Sequence, residues 1–597
     1  MRLLVPVLLL AAASVLHPAS AQESPKHEFR GVWIATVGNL DWPSSPTIGA
    51  AAQKAELVVM LDRLQQAGIN AVLFQVRTES DAFYDSPFEP SSFWLTGEQG
   101  ADPGYDPLAF AIEQAHARGM ELHTWFNPYR ADRGSNYAKA PTHVTVQHPE
   151  WILDFGSIKI LDPGLPEVRD HVTKIVTDVA RRYDIDGVHF DDYFYPYPPN
   201  TITDQDAASF AQYGAGFSIG NWRRFNVFRF VRQIRDSLAV TRPEAVFGIS
   251  PFGIARAGVP AGTSGLDAFN VLFADPEAWL ENDLIDYVTP QLYWAFGGGQ
   301  DYAKLAPWWE SVRNDRHLYP GHGLYRSSSS TFPNALYAAD EVPRQVRFNR
   351  ATEGIQGSVF FRAENITRFR SKGFADSLKN DLYRYPALPP PMAWRSQDAP
   401  SAPTDLALAF PTDAEPGTVG VSWSAPASGN AKARFYAVYR IPADQAGDLS
   451  AAMMDARNLV GVTGETEFQD LLLDGRGYTY VVTSVSANSV ESAPSNPATV
   501  QGSVASEPDA VLAHRLDAPH PNPSRGAVTI SFSLAEPSNI SIRVVDVLGR
   551  EIARLVDADA RPAGAQSVVW QPGAAGTYLV VLDDGRRRLT RSVSVVR

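Results

Sequence analysis

The sequence predicts an α/β protein, a (β/α)8 TIM barrel followed by two small all-β sandwich domains. Three observations lead there. As far as about Tyr385, apolar β-rich runs alternate with amphipathic helical stretches, the pattern of parallel strands covered by helices. Beyond a Pro-rich stretch at 386–403 the hydrophobic period falls to two, as in half-buried antiparallel strands. The chain of 597 residues is also too long for one core, since a domain holds roughly 100 to 200 residues.

Eight candidate strands follow one another in the first part: Arg30–Thr36, Asn70–Val76, Glu121–Phe126, Gly187–Asp191, Val246–Ser250, Tyr287–Tyr293, Tyr319–Leu324 and Ser358–Arg362. Helical segments separate them, among them Ala51–Ala67, Pro107–Arg118, Pro166–Tyr183, Trp222–Leu238 and Pro343–Thr352. Gly68, Gly119 and Gly354 stand just past helices, where a C-terminal stop belongs. The barrel so defined, Lys26 to Tyr385, exceeds the usual size of about 250 residues, and the excess lies in long loops after strands two, three and four.

The ends and joints read differently. Met1–Ala21 carries Arg2, the apolar run Leu3–Val15 and the small-residue pattern Ala19-Ser20-Ala21, which reads as a cleaved secretory signal too short to span a bilayer. Pro386–Pro403 reads as a stiff, extended linker. Residues 404–503 hold the strands Val419–Trp423, Arg434–Arg440 and Tyr478–Ser486, and residues 516–597 hold Val528–Leu534, Ile540–Val547, Gln566–Trp570 and Gly576–Leu582. Ala505–Ala513 between the two is again linker-like. No later stretch is long and apolar enough to span a membrane.

Composition narrows the function. The apolar fraction of 44% and charged fraction of 20% are those of ordinary globular protein. A formal charge of −14 opposes a broad grip on nucleic acid or an anionic membrane, so a neutral partner fits better. The 13 Trp, 22 Tyr and 30 Phe suit the flat apolar faces of sugar rings. With no cysteine, disulfides, thiol catalysis and thiolate metal sites are excluded.

In a barrel the working residues stand at the C-terminal ends of strands, so alternation along each strand places them. On strand four Val188 and Phe190 are apolar and face the helices, which turns His189 and Asp191 toward the axis, with Asp192 and Tyr193 opening the loop. Strand two directs Gln75 and Arg77 inward, with Glu79 and Asp81 just beyond, and strand three directs His123, Trp125 and Asn127. Strand six offers Thr289, Gln291 and Tyr293, with Trp294 following, and strand eight offers Arg362 and Glu364. A barrel needs only apolar layers for stability, so this mouth reads as a site.

Its composition favours sugar chemistry. Hydrolysing a glycosidic bond needs a carboxylic acid and usually a second carboxylate about 5 to 10 Å away. Asp191, Asp192 and Glu79 are the catalytic candidates, with Asp81 and Glu364 able to complete a pair. Arg77, Trp125, Asn127, His189, Tyr193, Gln291, Tyr293, Trp294 and Glu364 are the candidates for holding substrate, and Trp33, Trp42 and Tyr195 are further aromatic platforms. His123, His189 and Asp191 could in principle bind zinc. No HxH or HExxH spacing exists, however, and a neutral His serves as well beside a carboxylate, so no metal and no cofactor is expected. No G-x-S-x-G elbow is present, which counts against a serine esterase or a deacetylase. The remaining alternative is a non-catalytic glycan-binding surface protein.

Several motifs fall in order along the barrel: Glu28-Phe-Arg-Gly-Val-Trp-Ile-Ala-Thr36 with Asp41-Trp-Pro43, Phe74-Gln-Val-Arg77 with Asp81-Ala-Phe-Tyr84, Trp125-Phe-Asn-Pro-Tyr-Arg130, Asp186-Gly-Val-His-Phe-Asp-Asp-Tyr193 and Thr289-Pro-Gln-Leu-Tyr-Trp294. Together they resemble the glycosyl-hydrolase-like 10 family, formerly a domain of unknown function, over about Lys26 to Leu378. The resemblance implies cleavage of peptidoglycan glycan strands, notably strands stripped of their peptides. Strand four also resembles the chitinase-type Asp-Gly-x-Asp-x-Asp-x-Glu signature, but Tyr193 stands at the place of its acid Glu and His189 at that of an Asp. Which carboxylate partners Asp191 therefore stays open. Residues 404–503 resemble a fibronectin type III domain in length, in Trp423 on an early strand and in the late Tyr-rich strand. His520-Pro-Asn-Pro523, Val544-Val-Asp-Val-Leu-Gly-Arg550 and Gly576-Thr-Tyr-Leu579 resemble the C-terminal sorting domains of type IX secretion, which implies an export machinery as partner and a cell-surface or extracellular location, with the periplasm as the alternative.

Overall fold

The structure is a computed structural model that describes residues 24–327, 336–368, 372–411, 414–415, 417–427, 429, 431–472, 476–501, 515–546, 549–585 and 587–596. The signal assigned to 1–21 and the joint at 505–513 lie outside the described residues.

Eight parallel strands form the barrel: β1 (Phe29–Ile34), β2 (Ala71–Arg77), β3 (Glu121–Phe126), β4 (Gly187–Phe190), β5 (Val246–Ile249), β6 (Tyr287–Val288), β7 (His317–Leu318 and Gly321–His322) and β8 (Gly357–Phe360). Each pairs with its neighbours in chain order, and β8 returns to β1. β7 is interrupted at Tyr319-Pro320, where proline has no N–H to give the ladder. Its first half pairs with β6 and its second with β8, which closes the ring. β6 stops at Val288, well short of the expected Tyr293, because Pro290 breaks the regular pairing.

The alternation read from the sequence divides the side chains into two layers. Val32, Val72, Phe74, Val188, Phe190 and Ile249 belong to the layer under the helices. Phe29, Trp33, Leu73, Trp125, Tyr287 and Tyr319 fill the axis. So many rings fit inside because glycine stands opposite them; a Cβ on Gly248 would strike the Tyr287 ring. The long loops carry structure of their own, and the one after β3 folds into a small antiparallel sheet of Arg130–Asp132, Ile152–Asp154 and Lys159–Leu161. This sheet stands over the C-terminal end of the barrel and supplies Ile160 to the mouth.

Residues 404–500 form a sandwich of a three-stranded sheet (Thr404–Ala409, Thr418–Ser424, Glu467–Leu471) and a four-stranded one (Ala433–Pro442, Leu459–Thr463, Tyr478–Ser486, Ala498–Val500). Trp423, Tyr436, Val438 and Tyr480 lie between the sheets. The sandwich is fastened to the base of the barrel. Arg434 reaches Asp184 at 2.6 Å and Asp186 at 3.0 Å, and Lys26 reaches Glu491 at 2.5 Å. The Pro-rich stretch, read from composition as a spacer, is docked as well. Leu388 exchanges backbone hydrogen bonds with Lys26 and Glu28, Met392 joins the axial core, and Trp394 and Arg395 both donate to Asp286 at 2.8 Å. Its apolar and charged side chains thus find partners on the barrel, which proline content alone does not reveal.

The second unit, Ser503–Arg597, has its own core. Val528–Leu534 and Gly564–Trp570 with Arg515–Leu516 face the four strands Ser538–Asp546, Glu551–Arg561, Gly576–Asp583 and Arg588–Val595. Trp570, Tyr578, Val580 and Phe532 are buried between them.

Candidate active site

Val188 and Phe190 pack under the helices, so the next residue in alternation, Asp191, leaves β4 at the axial mouth. It borders a cavity of about 430 Å3 with Trp33, Gln75, Trp125, Arg130, Tyr193, Tyr195, Ser250, Gln291, Tyr293 and Phe361, and with the apolar side chains of Val37, Leu40 and Ile160. Such a volume is that of a pocket for a small organic ligand or a short stretch of a polymer.

The Asp191 carboxylate is held on both sides. Asn127 Nδ2 donates to its Oδ2, and the Tyr193 N–H donates to its Oδ1 at 3.3 Å. Asn127 is itself aimed, because Gln75 Nε2 at 2.6 Å and Arg130 Nη2 at 2.7 Å both donate to its Oδ1. Asp192 accepts from the Tyr197 hydroxyl. Burial and the neighbouring Asp192 charge push the Asp191 carboxyl up to about 7, against the pull of Arg130. Burial likewise pushes Asp192 up to about 6, while Tyr197 and Gln291 hold it down. The two neighbouring carboxyls therefore titrate as a pair, each raised above the usual carboxylate range. The Trp125 indole N–H, in a residue only 6% exposed, has no acceptor within hydrogen-bond distance yet lies near enough to Asp191 to favour its charged form.

Aromatic groups frame the carboxyls. Tyr193 is 42% exposed, with the Arg130 guanidinium 5.3 Å from its ring centre. Tyr293 stacks with Phe361 at 5.8 Å across the cavity wall. Gln291 donates to the Ser250 carbonyl at 3.1 Å and borders the cavity from the segment that follows β6.

Other residues read from the sequence as mouth groups are drawn elsewhere. Arg77 is fully buried, forks onto Glu89 at 2.8 and 2.7 Å and donates to the carbonyls of Asn127 and Pro128. Glu79 accepts from the Arg133 N–H, Ser135 and the Trp94 indole, at 2.9, 2.8 and 3.1 Å. Asp81 takes the Thr78 hydroxyl and the Glu79 N–H. The long loops after β2 and β3 fold over these groups and use them as ties, and none of them borders the cavity. Glu364 pairs with Arg362 at 2.8 Å and Arg368 at 3.4 Å, beside Asp41, and does not border it either. Trp294 packs edge-on against Phe252, and Trp42 is buried with its N–H on the Gln53 carbonyl. His189 points to the axis as its register requires, but one layer below Asp191, where it meets Trp33, Tyr287 and Ser250. Among the described residues no group of three or more His, Asp or Glu side chains is placed to hold a metal ion.

Several residues of the cavity were not singled out from the sequence, among them Arg130, Arg133, Ser250, Tyr325 and Phe361. Arg130 stands inside the Trp125–Arg130 motif, and its basic charge next to a carboxylate-bearing strand end was a usable signal. Ser250, Tyr325 and Phe361 carry none, since a single serine or ring at a strand end reads as packing.

Residues 28–337 match the model of the family described as glycosyl hydrolase-like 10, and residues 519–596 match that of the secretion system C-terminal sorting domain. Glycosyl hydrolase YngK of Bacillus subtilis (strain 168) is 37% identical over 495 residues, which cover 80% of this chain and 94% of that protein. Glycosyl hydrolase DigH of Escherichia coli (strain K12) is 37% identical over 380 residues, 59% of this chain and 86% of that protein. The sorting tail marks the protein for export to the cell surface or beyond, and among the described residues no helix is long and apolar enough to cross a membrane. The chain belongs to the glycosyl hydrolase-like 10 family and is by class a glycoside hydrolase.

Proposed function

We propose that the barrel mouth cleaves a β-linked glycan, with peptidoglycan strands lacking their peptides as the substrate, and that Asp191 is the group that exchanges a proton with the glycosidic oxygen. The observation that carries this reading is the pair Asp191 and Asp192, buried side by side at the head of β4, with one of the two, Asp191, facing the cavity. A carboxyl pushed to about 7 by burial and a like charge keeps a large protonated fraction at neutral pH and is poised to give its proton to a leaving alkoxide.

The departures from the chitinase-type signature fit this assignment. Burial and the Asp192 charge push the Tyr193 phenol up to about 12, so it does not replace the missing Glu as an acid, but its exposed ring is a surface for a sugar. Asn127 keeps the Asp191 carboxyl aimed, and Asp192 supplies the negative charge that an oxocarbenium-like transition state attracts. Val37, Leu40 and Ile160 give the cavity an apolar wall that suits the methyl of an acetamido sugar, which supports an amino-sugar polymer. Release of reducing ends from purified peptidoglycan strands, with and without stem peptides, tests the substrate. Faster release from the stripped strands is expected, and cleavage of neither form by the wild-type protein would overturn the proposal.

A further inference from the structure

A chain of hydrogen bonds runs along the barrel axis, and it has a single direction. The Trp33 indole N–H lies 3.2 Å from Nε2 of His189. An indole nitrogen only donates, so Nε2 is bare and a neutral His189 carries its proton on Nδ1. That Nδ1 stands 3.0 Å from the Tyr287 hydroxyl, which accepts from it and spends its own proton on Nδ1 of His123 at 2.9 Å. His123 is then protonated on Nε2 and donates to Glu121 Oε2 at 3.2 Å. Ser250 Oγ lies 3.1 Å from His189 Nε2 and 3.3 Å from the Phe190 carbonyl, and its hydroxyl donates to either without reversing the chain.

The surroundings keep this polarity. Full burial, with His123 adding, drives the His189 imidazole well below its usual range, so it stays neutral. Burial raises Glu121, while the His123 contact and, from the sandwich, Arg434 favour its charged, accepting form. Packing sets the depth of the Trp33 ring, with Phe361 edge-on at 6.0 Å and Gly321 so near that a Cβ there would lie 2.9 Å from the ring, and the ring spends its N–H on His189.

We propose that Glu121, His123, Tyr287 and His189 are positioning residues, a polarised relay whose task is to fix the Trp33 indole as the floor of the cavity against which the sugar rests. None of the four borders the cavity. The inference rests on the reading of the mouth as a glycan site. It gives His189, which replaces an acid in the chitinase-type signature, a role that a carboxylate could not fill, since only an imidazole accepts from Trp33 on one side and donates to Tyr287 on the other.

The full chain labelled with 15N-histidine tests it, with two-bond proton–nitrogen spectra recorded without substrate. His189 is expected protonated on Nδ1 and His123 on Nε2. Tyr287→Phe removes one oxygen and should abolish this pattern, raise KM for the glycan about tenfold and leave kcat within about threefold, as loss of a binding surface does. Trp33→Phe breaks the relay at its other end and should give a similar KM, and the double variant should be no worse than the poorer single. If Tyr287→Phe does not fold, Trp33→Phe alone decides by the same two readings. A proton on Nε2 of His189, an unchanged KM in a folded single variant, or additive effects in the double would overturn the proposal. A wild-type protein that cleaves no glycan would instead overturn the reading of the mouth, and the histidine spectra would still decide the relay.

Discussion

Two strand ends of this barrel look alike in sequence and differ in structure. β2 ends in Arg77 followed by Glu79 and Asp81, and β4 ends in Asp191 and Asp192. Both groups are buried, and both stand where barrel enzymes keep their chemistry. At β2 the carboxylates accept from the backbone and side chains of their own covering loops, and Arg77 is spent on Glu89 and two carbonyls. At β4 one carboxyl is aimed at an open cavity by the Asn127 amide and the Tyr193 N–H, with a like charge beside it. Position at a strand end is therefore not enough. What separates the two is whether the oxygens face the substrate's space or are consumed in holding a loop.

The contrast is broken most severely at Asp191. Asp191→Asn keeps the shape and removes the proton donor, and turnover should fall at least about a hundredfold while glycan binding, measured by calorimetry, survives. Asp192→Asn comes next, with a loss of about tenfold, because Asp191 then loses the neighbour that keeps it protonated. At β2 the expected damage is to stability. Arg77→Met leaves Glu89 charged and buried, and denaturant unfolding should show a loss of about 3 to 5 kcal/mol, while the fraction that stays folded turns over glycan normally. Glu79→Gln is the smallest, with kcat within about threefold of wild type; a hundredfold loss there would place the second carboxylate on β2 and break the distinction. A fifth test concerns the joints. Trypsin or elastase should spare 386–403, whose side chains are docked on the barrel, and a cut there in the native protein would show the docking to be weak.

Much of this architecture was legible in the sequence. Alternation on β4 placed Asp191 because Val188 and Phe190 leave only one register that buries apolar side chains under the helices. The same rule does not carry to Arg77, because the register of β2 shifts between Gln75 and Arg77 and sets Arg77 opposite Phe126 of the layer under the helices, and its partner Glu89 lies in a long loop whose path depends on many contacts at once. Beyond Pro290, where regular pairing ends, Gln291 and Tyr293 still border the cavity as their parity predicts, while Trp294, taken as a platform from its aromatic character, packs against Phe252 outside it. His189 shows a third case. Its direction was right and its depth was not readable, so a residue taken for a mouth group belongs to the axial network one layer down. The docking of 386–403 escaped notice because proline content speaks of stiffness and says nothing about what Met392 and Trp394 find beneath them.

The central claim is that Asp191 acts as an acid because Asp192 sits beside it. The pH dependence of kcat/KM, compared between the wild type and Asp192→Asn, tests this most directly. An acid must be protonated to work, so wild-type activity should fall as pH rises through about 7. Removing the Asp192 charge removes a cause of the upward shift, and the falling limb of the variant should move to lower pH. A limb that stays in place in the variant, or is absent from the wild type, would contradict the account.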